Sequence, residues 1–232
     1  MRALAVDLVL GLVLGLVLSP SVPRAAPVGG TVTGRLAVVQ EGKRIATPAD
    51  QPAYVYLVEL PPQRRKSHPG DNATVRIVQR GEQFDPEIRV VSVGTTVVFP
   101  NDDFKEHNVF SPTAADQFDL GRYNHGPGRS HRFDDPGDID VYCDIHKNMR
   151  ATVKVVDSAW IAPVKDGAFT LTGVPPGSYK VVGWARDSSE AWSDPITVLA
   201  GAATTLADEL HPRIRKTSTT HTRKDGSPYP PY

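Results

Sequence analysis

The residues with the clearest chemistry lie between Tyr142 and Met149, a stretch that reads YCDIHKNM. Cys143, His146 and Met149 follow the spacing C-x2-H-x2-M, and His107 stands upstream in the short apolar segment HNVF. Two imidazoles, one thiolate and one thioether form a donor set that suits copper. The thiolate and imidazoles match the ion in softness, and the thioether can serve as a weak axial ligand. A compact Cys-to-Met loop lets three donors come from one turn between two strands, while the fourth comes from a neighbouring strand. Geometry then becomes a property of the fold. Taken singly, each residue has a plainer explanation, since a lone Cys or Met is usually core packing. Together they are distinctive: Cys143 is the only cysteine, and Met149 is one of two methionines, the other being Met1. His68, His125, His131, His211 and His221 are read as ordinary polar residues.

The elements that must hold these donors are strands. The chain of 232 residues contains 19 Gly and 21 Pro, its apolar runs are short, and an all-β protein is expected. Strand signals recur at Thr31–Val39, Ala53–Leu60, Ala73–Arg80, Glu87–Val93, Thr95–Phe99, His107–Phe110, Ser130–Phe133, Asp140–Cys143 and Ala151–Val156. This spacing predicts a sandwich or barrel. Pro61–Asn72 reads as an exposed linker, and residues 111–129 read as irregular. Further strands are expected at Gly167–Leu171, Ser178–Trp184, Pro195–Leu199 and Thr204–Leu210. Lys+Arg and Asp+Glu are both 26, so no strongly basic face is available and nucleic acid is not expected as a partner.

A single cysteine rules out a disulfide framework within the chain. Residues 1–26 open with a charged Arg2 and an apolar run to Leu18, which reads as a secretory signal peptide or an N-terminal anchor. The run is short for a spanning helix of about 20 residues. The expected location is therefore periplasmic or extracellular, with membrane attachment only if the segment is retained. In such a place an unpaired thiol oxidises readily, and metal ligation gives Cys143 a reason to be there.

Residues 73–157 resemble the cupredoxins, the small blue-copper domains of the plastocyanin and amicyanin kind. The likeness is carried by VRIVQRGEQFDPEIRVVSVGTTVVFPNDD from Val75, by HNVFS from His107, and by FDDPGDIDVYCDIHKNM from Phe133. It implies a Greek-key β-sandwich holding one copper ion that cycles between Cu(I) and Cu(II). His107, Cys143 and His146 would be ligands, and Met149 the axial thioether. Asn108 would give its backbone N–H to the ligand sulfur. His146 would form the electron exit, with Asp144, Lys147 and Arg150 in place of a mostly apolar rim. The ligand set fills its positions with protein groups, so neither a small-molecule substrate nor enzymatic activity is expected.

A second small β-sandwich is expected beside the first. DGAFTLTGVPPGSYKVVGW from Asp166 resembles part of the carboxypeptidase-regulatory-like, transthyretin-type sandwich. The usual opening strands of that sandwich stand far upstream, as Gly30–Gly34 and Ala53–Leu57. Residues 28–60 and 158–210 are therefore expected to form one sandwich, split by the copper domain. Residues 211–232, basic and rich in Pro, are expected to be disordered. The function expected is one-electron transfer to partner proteins. The alternative is a module that stores, delivers or senses copper without shuttling electrons.

Overall fold

The computed structural model describes residues 28–47, 52–62, 67–215 and 221–229. The expected signal or anchor at 1–26 lies outside the described residues. Among those residues there are strands and turns but no helix, so the chain is all-β as expected.

The first sandwich has two five-stranded sheets. One runs in the order Phe118–Tyr123, His107–Ser111, Gly137–Tyr142, Arg150–Val156 and Ile88–Ser92. The other runs Gly126–Phe133, Thr95–Asn101, Val78–Gln79 and Phe84–Asp85, with Thr74–Arg76 also paired to Thr95–Asn101. Alternation decides which side chains enter the core, because successive residues of a strand point to opposite faces. In GDIDVY, Ile139 and Val141 are fully buried and their neighbours face outward. They pack with Val97, Phe99 and Phe133 of the facing sheet and with Ala151 and Val153 of the neighbouring strand, and Cys143 and Met149 belong to the same cluster.

The stretch 111–129, expected to be irregular, instead contains the strand Phe118–Tyr123 and the start of Gly126–Phe133. Its glycines permit the second of these. At Gly128, φ is +79°, and a Cβ would stand 1.9 Å from the Phe99 carbonyl oxygen. The register shifts here between Gly126 and Arg129, so the glycine serves a bulge at which two backbones nearly touch. Read as a string, the same glycines look like breakers.

The second sandwich draws on both ends of the chain. Gly30–Arg35 pairs with Ala168–Val174 and Ala203–Thr205. Tyr54–Leu60 pairs with Ile161–Pro163 and Gly177–Trp184. The core between them contains Val32, Val55, Leu57, Phe169, Leu171, Val181 and Val198.

Two strands bury both faces, one from each sandwich. Along Tyr54–Leu60, Val55 and Leu57 enter the second core, while Tyr56 packs with Ile88, Val156, Val182 and Trp184 between the sandwiches. Along Arg150–Val156, Ala151, Val153 and Val155 enter the first core, and Val156 joins the interface. Such strands read as nearly continuous apolar runs. Lys154 lies on the interface side with its Nζ 2.8 Å from Asp138 and 2.7 Å from Glu190. Arg186–Glu87 at 2.8 Å and Arg150–Asp187 at 2.9 Å span the same seam.

The expectation of disorder over 211–232 is corrected where that segment is described. Arg213–Ile214 is a strand between Val38–Gln40 and Ser188–Ser189. Residues 221–229 pack on the first sandwich through Tyr142 and Asp144. The composition is poor in apolar residues, but ion pairs, backbone hydrogen bonds and ring stacking supply the order.

Candidate metal centre

The site forms where the strand beginning at His107 meets the end of the strand Gly137–Tyr142. The loop from Cys143 to Met149 closes on itself: the Cys143 N–H donates to the Met149 carbonyl at 3.3 Å, and the Met149 N–H to that of His146 at 3.1 Å. Cys143 and His146 are thereby brought from one turn to the facing His107, with Met149 closing the turn.

His107 Nδ1 and His146 Nδ1 are 3.0 Å apart, and Cys143 Sγ is 3.6 Å from His146 Nδ1. The donor atoms of His107, Cys143 and His146 all lie within 4.8 Å of one another. This is the only such cluster among the described residues. His107, Cys143 and Met149 are fully buried, whereas His146 keeps some exposed surface. Met149 sits at the foot of the loop within the same core cluster as Cys143.

A buried polar site must be held by hydrogen bonds, and His107 and Cys143 each have neighbours that hold them. His107 Nε2 is 2.8 Å from Asp103 Oδ2. Burial pushes the Asp103 carboxyl up, but the N–H groups of Glu82 and Gly81 and the His107 ring together hold it below the usual carboxylate range. An ionised Asp103 accepts the Nε2 proton, which leaves Nδ1 turned to the cluster. This is the carboxylate–histidine arrangement that orients metal-binding imidazoles. Asp103 is in turn placed by Asn101, whose Oδ1 accepts the Asp103 N–H at 2.9 Å and whose Nδ2 donates to the Lys105 carbonyl at 2.8 Å.

Burial pushes the Cys143 thiol up, yet His107 and the N–H groups of Asn108, Ile145 and His146 outweigh it and leave the pKa lowered. Burial alone would lower the His107 pKa, but contacts with Cys143 and Asp103 raise it. His146 is lowered by burial and then by the nearby His107 charge. The shifts of His107 and Cys143 each lean toward the charged form of the group, and a metal ion would bind the deprotonated sulfur and ring nitrogens.

Asn108 does two things. Its backbone N–H is among the groups that hydrogen-bond the Cys143 sulfur. Its side chain ties the loop down: Oδ1 accepts the Asp144 N–H at 3.3 Å, and Nδ2 donates to Asp119 Oδ1 at 2.8 Å.

Not every expected neighbour is where the sequence put it. Asp144 and Arg150 do not form a rim. Asp144 is only 2 % exposed and pairs with Arg122 at 3.0 Å. Arg150 bridges Asp140 and Asp187 at 3.1 and 2.9 Å. Of the three, Lys147 is exposed. The remaining histidines have other roles. His131 pairs with Asp116, His211 with Glu209, His125 stacks on Phe104 and His221 on Tyr142, while the His68 N–H donates to Asp71. The sequence alone assigns no role to Asp103, the last residue of the stretch from Val75. Its signal was a carboxylate one loop ahead of the upstream His.

No protein-family model matches the sequence, and no curated protein matches it. Solved structures do. A mutant of amicyanin in its Cu(I) form is 22% identical, covering 37% of this chain and 84% of that one, with a TM-score of 0.34. A purple cupredoxin from Nitrosopumilus maritimus is 26% identical over 36% of this chain and 99% of its own, with a TM-score of 0.31. A copper-containing nitrite reductase from Thermus scotoductus SA-01 is 21% identical over 51% of this chain and 28% of its own, with a TM-score of 0.35. In the first sandwich, the upstream His and the Cys-to-Met loop stand at one end of two packed sheets. The donor chemistry fits copper: a lowered thiol and two imidazole nitrogens converge in a buried pocket.

Proposed function

We propose that this chain is an exported type 1, or blue, copper protein that carries one electron at a time to and from partner proteins. The observation that carries this reading is the convergence of His107 Nδ1, His146 Nδ1 and Cys143 Sγ within 4.8 Å in a buried site. Together with Met149 these residues would hold one ion, which when bound supplies a Cu(I)/Cu(II) couple.

The chain's own groups account for the rest. Asp103 keeps the His107 ring in one orientation, and the N–H groups of Asn108, Ile145 and His146 stabilise negative charge on the Cys143 sulfur. Burial of three of the four residues excludes water, which keeps the surroundings of the charge fixed as it changes. His146 is the one with solvent-facing surface, and it offers the shortest path for an electron to a docked partner. No catalytic role is assigned to any residue. The second sandwich is read as a carboxypeptidase-regulatory-like module for packing or docking. Periplasmic or extracellular location follows from the reading of residues 1–26.

The test is addition of Cu(II) to the purified protein, with its visible spectrum and reduction potential recorded. An intense thiolate-to-copper band with a reversible one-electron wave is expected, and Cys143→Ser should abolish the band. A colourless complex, or a spectrum unchanged by that substitution, rejects the site.

A further inference from the structure

The segment 221–229 is built as a turn and seated on the ligand loop. The Gly226 N–H donates to the Arg223 carbonyl and the Arg223 N–H to that of Ser227, both at 2.9 Å. The turn thus closes on two backbone hydrogen bonds of its own. His221 stacks on Tyr142 with ring centroids 4.1 Å apart, and Tyr229 meets His221 edge-on at 5.2 Å.

From this seat the segment reaches two residues of the loop. The Tyr229 hydroxyl donates to the Cys143 carbonyl. Arg223 Nε donates to the Asp144 carbonyl at 3.2 Å, and the Lys224 N–H to Asp144 Oδ1 at 3.0 Å. Lys224 Nζ also lies 2.9 Å from Asp119 Oδ2, and the other oxygen of that carboxylate accepts from Asn108. Asn108 in turn holds the Asp144 N–H and, through its own N–H, the Cys143 sulfur. The turn thus grips the residue that carries the sulfur and the residue after it. It also explains how an aspartate is accommodated almost wholly out of water, since a buried carboxylate must be paired and hydrogen-bonded.

We propose that residues 221–229 are a clasp belonging to the metal site, in which Tyr229, Arg223 and Lys224 act as positioning residues for Cys143. The proposal rests on the copper reading for its consequence, but its structural half stands without metal. A loop held at both its carbonyl and its carboxylate opens less often, so the thiol is shielded and its orientation toward the imidazoles is fixed. The clasp works through neighbours and touches no donor atom itself.

The experiment compares the full chain with a deletion of residues 221–232, with Tyr229→Phe, and with Arg223→Lys and Arg223→Glu. In metal-free protein, the alkylation rate of Cys143 by iodoacetamide reports loop opening. Deletion should raise it about tenfold, with Tyr229→Phe part-way, because local opening governs the reactivity of a buried group. Arg223→Lys should stay near the parent rate and Arg223→Glu should approach the deletion. In copper-loaded protein the same order should appear as shifts in reduction potential and in the thiolate-to-copper band. Those quantities do not move if the segment merely adds bulk stability. Tyr229→Phe removes one hydroxyl and leaves the packing, so it remains decisive even if the deletion fails to fold. Alkylation rates equal to the parent in Tyr229→Phe and in both Arg223 variants overturn the clasp. If the parent protein shows no thiolate band with Cu(II), the copper reading fails separately, and the metal-free alkylation comparison still decides the clasp.

Discussion

At the scale of single residues, the site is a set of donors and the groups that aim them. Three of the donors lie within a few positions in sequence, so Cys143, His146 and Met149 are legible as a pattern. The aiming groups are not, because nothing in the string says which neighbour faces which donor, even where it is as near as Asp103 is to His107. Asp103 is the clearest case. It is held by the N–H groups of Gly81 and Glu82 at 2.7 and 3.0 Å, and only the folded chain brings that segment beside His107. Asp103→Asn keeps the size of the side chain but removes the charge that fixes the Nε2 proton. Copper affinity should fall by about 10–100-fold, as is usual when an outer partner of a ligating His is changed. A competition titration against a chelator of known affinity measures this, and the visible band should persist at saturation. An affinity equal to that of the parent protein would remove Asp103 from the design.

At the scale of elements, what the sequence conceals is the strand that glycine makes possible. Regular alternation in GDIDVY or TTVVF announces a strand without ambiguity. The stretch from Gly126 to Gly128 announces a turn, yet it leads a strand whose bulge passes against Phe99. A glycine at φ +79° with a carbonyl where its Cβ would stand has no tolerant substitute. Gly128→Ala should therefore destabilise the fold by about 2–3 kcal/mol through backbone strain. Urea denaturation checks this. Gly137→Ala serves as comparison, because its φ lies outside the left-handed region and its added Cβ would meet only side-chain atoms, the nearest at 3.4 Å. The same limit applies to residues 221–229, whose partners Cys143 and Asp144 are distant in sequence and whose composition alone argues for disorder.

At the scale of the whole molecule, the two sandwiches are joined by a seam that is apolar at Tyr56, Val156, Val182 and Trp184 and charged at its margins. Glu190 sits in that seam, accepting from Lys154 Nζ at 2.7 Å and from the Tyr56 hydroxyl at 2.6 Å. Burial pushes its carboxyl up, but Lys154 and Tyr56 outweigh this and leave it below the usual carboxylate range. A group whose pKa is depressed by folding stabilises the protein above its ordinary pKa, and that contribution fades as pH falls through the depressed value. Stability should thus decline in acid, from about pH 4 downward, and Glu190→Gln should flatten that decline while costing stability at neutral pH. Thermal melts of both proteins across this range decide the matter, and parallel curves would count against it. The strands of the seam were each legible, but the fact that Tyr54–Leu60 serves two cores was not, since an apolar run does not say what covers it. That strand has a consequence for how the protein is made. It leaves the ribosome long before its partner Gly177–Trp184, with the whole first sandwich still to be synthesised between them. Through that interval it is a seven-residue ribbon, apolar or aromatic but for Glu59, with both edges open, the kind of segment that recruits a neighbouring chain. Chains stopped before Trp184 should accumulate as aggregates, and extending them through Leu210 should restore solubility in a sedimentation assay.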